Sequence, residues 1–331
     1  MHLASLYSNV LVLAFQPHIR HTVCMSIVNP HDKIFREIES IRENAADFIA
    51  GTFPRELLQG LDLETLELDP SSYISEDLEE TFSDLVYSCQ YNAKTPITIA
   101  LLFEHKSSPV RYPHFQLLKY MLSIWKKCIQ DSTPLKIVVP VIFYHGTKPW
   151  QLKPVSAYFE GIDATLSHFI PDFSYILTDL SCYDDQAIRD TLFQRDANRI
   201  LMQLLKYVFD ERLVDQHFTE IFSPGRDAFT KPEGQRLLMS ILVYLYNTTE
   251  LSPDSVIQRL SRISPEGGKI AMTTALKLRE EGIAEGFEKG IEKGIKENAR
   301  RMLNDGQPVA IIAKYTGLTP SEIEALREEN D

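Results

Sequence analysis

Phe82–Lys106 reads FSDLVYSCQYNAKTPITIALLFEHK, and this stretch decides the fold. Phe82–Tyr91 and Ile97–Phe103 are rich in β-branched and aromatic residues, and Asn92–Pro96 between them holds the turn formers. The pattern predicts an antiparallel hairpin. Asp84 and Glu104 are equidistant from Lys94, so the expected register sets them opposite each other and Phe82 opposite Lys106, with Asp84, Glu104 and Lys106 on one face of the sheet. Two opposed carboxylates repel unless a cation lies between them, and an oxygen-only ligand set suits Mg²⁺ or Mn²⁺. A lysine two residues beyond the glutamate can orient or deprotonate an attacking water, which is what metal-assisted phosphodiester hydrolysis needs. An exposed Glu/Lys pair alone would be ordinary surface. Here it ends the apolar run Ala100–Phe103, the mark of a buried strand opening into a cleft.

Upstream, Ile34, Phe35, Ile38, Ile41, Ala45, Phe48 and Ile49 fall at helical spacing, predicting one amphipathic helix from Pro30 to Phe53, stopped by Pro54. Leu61–Ser83 alternates Leu with acids and reads as edge-like. Downstream, Pro113 opens a second helix with Phe115, Leu118, Met121, Leu122 and Trp125 as its expected buried stripe. Leu135–Tyr144 reads as a central buried strand, and Phe173–Leu180 as one more. The order helix, strand, strand, strand, helix, strand is an α/β layer architecture. From Asp185 to Leu278 the pattern is mainly helical, clearest over Ile200–Phe209 and Gly234–Tyr246. Gly282, Gly286, Gly290 and Gly294 then recur every four residues, along one stripe of a helix. Asn298–Leu326 offers three short helical pieces, with Thr319 as N-cap and Pro320 at the first helical position of the last.

The expected organisation is an N-terminal extension over 1–28, a core over 29–180, a helical extension over 181–278 packing on it, and a tail over 279–331. Met25 precedes the first patterned sequence, so the extension carries no functional weight here.

With 44% hydrophobic and 24% charged residues the 331-residue chain has the makings of a sizeable core. Its net charge of -12 offers no chain-wide attraction to nucleic acid or anionic membrane. The charge is unevenly placed, however. Residues 62–84 hold nine acids and no Lys or Arg, whereas residues 85–127 hold one acid, Glu104, and six bases. Lys94, Lys106, Arg111, Lys119, Lys126 and Lys127 thus form a candidate phosphate-contacting patch for DNA. The apolar run Leu6–Phe15 is too short to span a bilayer and has no basic flank, so no membrane association is expected. Four scattered cysteines with no CxxC spacing argue against zinc or a disulfide framework and for a cytoplasmic setting. No Gly-rich loop precedes a helix, so no nucleotide cofactor is expected.

Five ordered motifs carry a resemblance: His31–Phe35 (HDKIF), Asp84–Tyr87 (DLVY), Glu104–Ser107 (EHKS), Leu117–Met121 (LLKYM) and Pro140–Gly146 (PVIFYHG) followed by Trp150. Over Asn29–Leu180, and again in the glycine-spaced tail, the chain resembles the Rpn/YhgA-like proteins of bacteria, named as recombination-promoting nucleases and as transposases. That resemblance implies a restriction-endonuclease-like core of the PD-(D/E)XK superfamily and a low-specificity DNA endonuclease linked to recombination or mobile elements. It implies Asp84 and Glu104 as metal ligands, the His105 backbone carbonyl completing the metal shell, and Lys106 as the lysine of the ExK motif. Many relatives carry Gln at that last position, so this chain departs towards the nuclease pattern. Gln116 and Tyr120 resemble the Q-x-x-x-Y pair of the RecB-like subgroup, which supports site and substrate. An acid on the first helix, Glu37 or Glu43, would assist the metal. The alternative is a catalytically silent nuclease-fold module that binds DNA or protein; a DDE-type transposase would need three gathered carboxylates, which the hairpin does not predict. The acidic last helix, with Glu322, Glu324, Glu328 and Glu329 against Arg327, is expected to contact protein, and the C-terminal helix offers a route to a homo-oligomer.

Overall fold

A computed structural model describes residues 29–69, 83–93, 95–104 and 109–328, with the backbone path alone at 83, 84, 102–104 and 328. The chain divides into a body, Ser26–Ala275, and a C-terminal unit from Leu276 onward. Single-turn helices are left unnumbered below.

The body is built on a five-stranded sheet in the order β1 (Leu61–Leu68), β2 (Ser83–Tyr91), β3 (Thr95–Glu104), β4 (Ile137–Tyr144), β5 (Ile176–Asp179). The first three strands run antiparallel and the last three parallel. β1 is an edge strand, as its alternating pattern suggests, and its pairing with β2 shifts register between Asp62 and Glu67. The hairpin closes through Asn92 and Ala93, both at left-handed φ (50° and 57°), with Tyr91 paired to Thr95.

Alternation along the strands sends side chains to two different layers. On one face Leu85, Tyr87, Ile97, Ile99, Leu101, Val141 and Phe143 meet α1 (Pro30–Glu39), α2 (Arg42–Thr52) and α4 (Asp196–Tyr207) in one large core. Phe143 stacks on Phe35 (4.8 Å, 12°) and receives Phe48 edge-on at 5.4 Å. Behind them lie α5 (Glu211–Phe222), α6 (Pro232–Thr248) and α7 (Pro253–Ile263). On the other face Val86, Ala100, Val138, Ile142 and Tyr144 pack under α3 (Pro113–Gln130), with Trp150 and Tyr175.

Two sequence expectations are corrected here. The helix expected over Pro30–Phe53 is two helices broken at Ser40–Ile41: Ile41 is extended (ψ 116°) and exposed, and the Asn44 side chain donates to the Ile38 carbonyl at 2.9 Å. The buried stripe of α3 is His114, Leu117, Tyr120, Met121, Ile124 and Cys128; Phe115 and Leu122 face water. Apolar residues stand on nearly every side of this helix, so spacing alone did not choose the face.

Asp47 on α2 ties the two halves of the body. Its carboxylate accepts from the main-chain N–H of Gln194 and Arg195 and from Asn198 Nδ2, at 2.8 to 3.0 Å. In the C-terminal unit, the end of α8 (Pro265–Asn304), α9 (Val309–Thr316) and α10 (Pro320–Glu328) enclose a small core of Ala299, Ile312, Ile323 and Leu326. Gly317 sits at φ 76°, where a side chain would be strained, and Thr319 and Glu322 cap α10 reciprocally.

Candidate active site

The hairpin register decides how the two acids stand. Asp84 pairs with Leu102 and Ser83 with Phe103, so the turn centres on Ala93 and not on Lys94. The expected face-to-face pairing of Asp84 with Glu104 is therefore corrected to a diagonal one: the Glu104 position lies two residues past the partner of Asp84. Diagonal neighbours keep the same face, and their Cα atoms stand about 7–8 Å apart. Positions 84 and 104 thus share the face of Val86, Ala100 and α3. Glu104 also pairs with Tyr144 in the parallel ladder, which puts it at the carboxyl ends of β3 and β4, the edge where open α/β sheets form crevices.

Around that edge the structure brings together several buried groups. Tyr144 is enclosed and meets Trp150 edge-on at 5.0 Å. The Trp150 main-chain N–H donates to Asp179 Oδ2 at 2.8 Å, and Asp179 Oδ1 accepts from Ser181, so the carboxylate at the end of β5 fixes the loop after β4. Tyr120 of α3 packs into the same cluster, and Gln116 lies one turn earlier and half-buried. Arg111, Lys119 and Lys126 are exposed, and Lys127 is half-buried. Lys94, His105 and Lys106 lie outside the described residues. Among the described residues no three His, Cys, Asp or Glu side chains gather as a metal site.

Glu37 is not brought to this face. It is exposed on α1, across the sheet from α3, and accepts a hydrogen bond from Ser240 Oγ. Glu43 is exposed in an ion pair with Arg42 at 3.2 Å. The first-helix acid that the fold does enclose is Glu39. It is fully buried with no hydrogen-bond partner on either carboxylate oxygen among the described residues, and Tyr87 Oη donates to its main-chain carbonyl at 2.6 Å. Burial, reinforced by the nearby Asp47 charge, raises its pKa well above the ordinary range. Its position immediately after Ile38, on the inward side of α1, was the available sequence signal.

A second grouping joins two of the sequence motifs. The His31 ring lies 5.2 Å from that of His145 at the end of β4, and His31 Nδ1 shares a 2.7 Å hydrogen bond with Tyr244 Oη. His145 Nδ1 donates to the Leu205 carbonyl at 3.4 Å, and its ring stacks on Phe209. These contacts seat the start of α1 and the end of β4 against α4 and α6.

With this geometry in view, comparison with known proteins is informative. The family described as "Putative transposase, YhgA-like" matches residues 29–231. The chain belongs to this family. The YhgA-like span takes in the whole sheet together with α1 to α5. Over 303 residues the chain is 26% identical to "Recombination-promoting nuclease RpnA" of Escherichia coli (strain K12), covering 89% of this chain and 96% of that protein. It is 28% identical, with the same coverage, to "Inactive recombination-promoting nuclease-like protein RpnE", and 28% identical over 300 residues to "Recombination-promoting nuclease RpnC", both of the same strain. YhgA-like relatives thus include both proteins named as nucleases and proteins named as inactive. No solved structure matches. Among the described residues no helix is long and apolar enough to cross a membrane.

Proposed function

We propose that the chain is a metal-dependent DNA endonuclease of the PD-(D/E)XK type, acting with low sequence specificity in recombination or on mobile elements. The observation that carries this reading is the hairpin register, which sets positions 84 and 104 diagonally on the α3 face at the carboxyl ends of β3 and β4. Two carboxylates and a main-chain carbonyl form a hard, oxygen-only donor set, which fits Mg²⁺ or Mn²⁺. Asp84, Glu104 and the carbonyl of His105 would hold the ion. When bound, it supplies Lewis-acid stabilisation of the phosphate and a lowered pKa for the attacking water. Lys106 takes or orients the proton of that water, and Tyr120 and Gln116 on α3 support the substrate side. Arg111, Lys119, Lys126 and Lys127 supply phosphate contacts that position the strand without reading its sequence.

The test is nicking of supercoiled plasmid with Mg²⁺, Mn²⁺ or EDTA. Asp84→Ala and Glu104→Ala are expected to abolish cutting with folding intact, and Lys106→Ala to slow it by about 10²–10⁴-fold, the range for loss of a proton-transfer group. Cutting that persists in both acid variants overturns the site. The name of RpnE favours a second reading, a silent module that binds DNA or protein. Wild-type protein that is folded yet fails to cut with Mg²⁺ or Mn²⁺ would point there.

A further inference from the structure

We propose that Tyr112 and Phe115, flanked by Arg111 and Lys119, form a stacking platform for unpaired nucleotides, so that the substrate class is DNA with a single-stranded segment. This deepens the nuclease reading and rests on it for the identity of the polymer. Tyr112 is 38% and Phe115 47% exposed, at the start of the helix that covers the candidate site. Neither ring fills a core. Both are nevertheless held in place: Tyr112 meets Tyr158 edge-on at 5.2 Å, Phe115 lies 5.8 Å from the same ring, and the two are 5.9 Å apart. Tyr158 is anchored in turn by a 2.7 Å hydrogen bond to His114 Nδ1, and the His114 ring is packed between Phe173 and Tyr175. Exposed aromatic faces on a fixed footing cost little ordering entropy when a flat partner arrives.

The surrounding charge identifies that partner. The Arg111 guanidinium lies 5.0 Å over the Tyr112 ring, Lys119 is one turn beyond Phe115, and Lys126 follows two turns later, all exposed. Residues 105–130 contain no Asp or Glu, in a chain whose net charge is -12. Aromatic faces interleaved with cations and free of acids suit a polymer with flat bases and a phosphate backbone. A duplex keeps its bases stacked inside and can use only the cations, whereas a single strand can use the rings as well. Tyr112 lies eight positions after Glu104, so the platform begins within about 29 Å of that acid.

The test is fluorescence anisotropy of the full chain in EDTA with a labelled oligothymidine of about 20 nucleotides and a duplex of equal length. Wild type is expected to bind the single strand more tightly. The Tyr112→Ala/Phe115→Ala double variant is expected to lose about tenfold or more on the single strand and little on the duplex, while Tyr112→Phe retains binding. Melting temperature checks that the double variant is folded. Equal wild-type affinity for both forms, equal losses on both, or binding of neither overturns the platform. Because EDTA removes cleavage from the readout, a platform that binds in a protein that never nicks plasmid would sink the nuclease reading alone.

Discussion

The two faces of the sheet are covered differently. One lies under α1, α2 and α4 and the helices behind them, and its large side chains are almost wholly enclosed. The other has α3 and the stretch around Trp150 and Tyr175, and α3 turns Phe115, Leu122 and Ile129 outward. Charged strand positions 84 and 104 fall on the thinner side. On the thick side burial disfavours the charged form of an acid, as at Glu39, whose pKa is raised well above the ordinary range. The sheet thus separates a deeply covered scaffold face from the face that carries the proposed site, and the difference is set by depth of cover.

The sharpest way to break that contrast is on the thick side. Phe143→Ala removes a ring stacked on Phe35 and met by Phe48, and is expected to cost about 3–5 kcal/mol in urea or thermal unfolding. A loss below 1 kcal/mol would show that the face is loosely packed. A smaller effect is expected at Glu39. Its folded pKa is raised, so the folded state keeps its proton to higher pH than the unfolded chain, whose value is about 4.3. The stability associated with that proton is fully present below this pH and lost as pH rises through the folded value. Glu39→Gln should therefore gain melting temperature relative to wild type at pH 8 and show less gain at pH 5; a pH-independent difference would mean that the carboxyl is solvated. Smallest is the change in the C-terminal unit. A Cβ at Gly286, Gly290 or Gly294 would meet nothing within 4 Å, so Gly290→Ala should stabilise the helix by up to about 1 kcal/mol, read as increased amide-exchange protection there. A loss of protection would show that the glycine stripe is packed against something.

Much of the fold was legible because its elements announce themselves chemically. The β-branched runs of the hairpin, Pro113 at the head of α3 and the apolar strand before Tyr144 gave the element order. What was not legible depended on backbone choices that composition does not mark. Ala93 adopts a left-handed φ without being Gly or Asn, and this moved the turn centre by one residue and the acids from opposed to diagonal. The period of two kept both positions on one face despite that shift. The break at Ser40 was hidden because the apolar spacing continues through it, and Glu39 was hidden because burial of an acid contradicts its type. For α3 the basic residues were visible, but the outward Phe115 and Leu122 were misread as core.

The Asp47 carboxylate bonds to groups 147 to 151 residues away in sequence. Together with the packing of α4 on α1 and α2, that span has a consequence for how the protein can be cut. A fragment ending at residue 180 would contain every strand and both acid positions but would lack α4, which packs on α1 and α2. Such a fragment would bare the apolar faces of α1 and α2 that α4 covers and leave the Asp47 charge without its amide partners, so expression should favour aggregation over a folded fragment. A chain continued past Phe222 restores the cover, and the family match extends past that point, to residue 231.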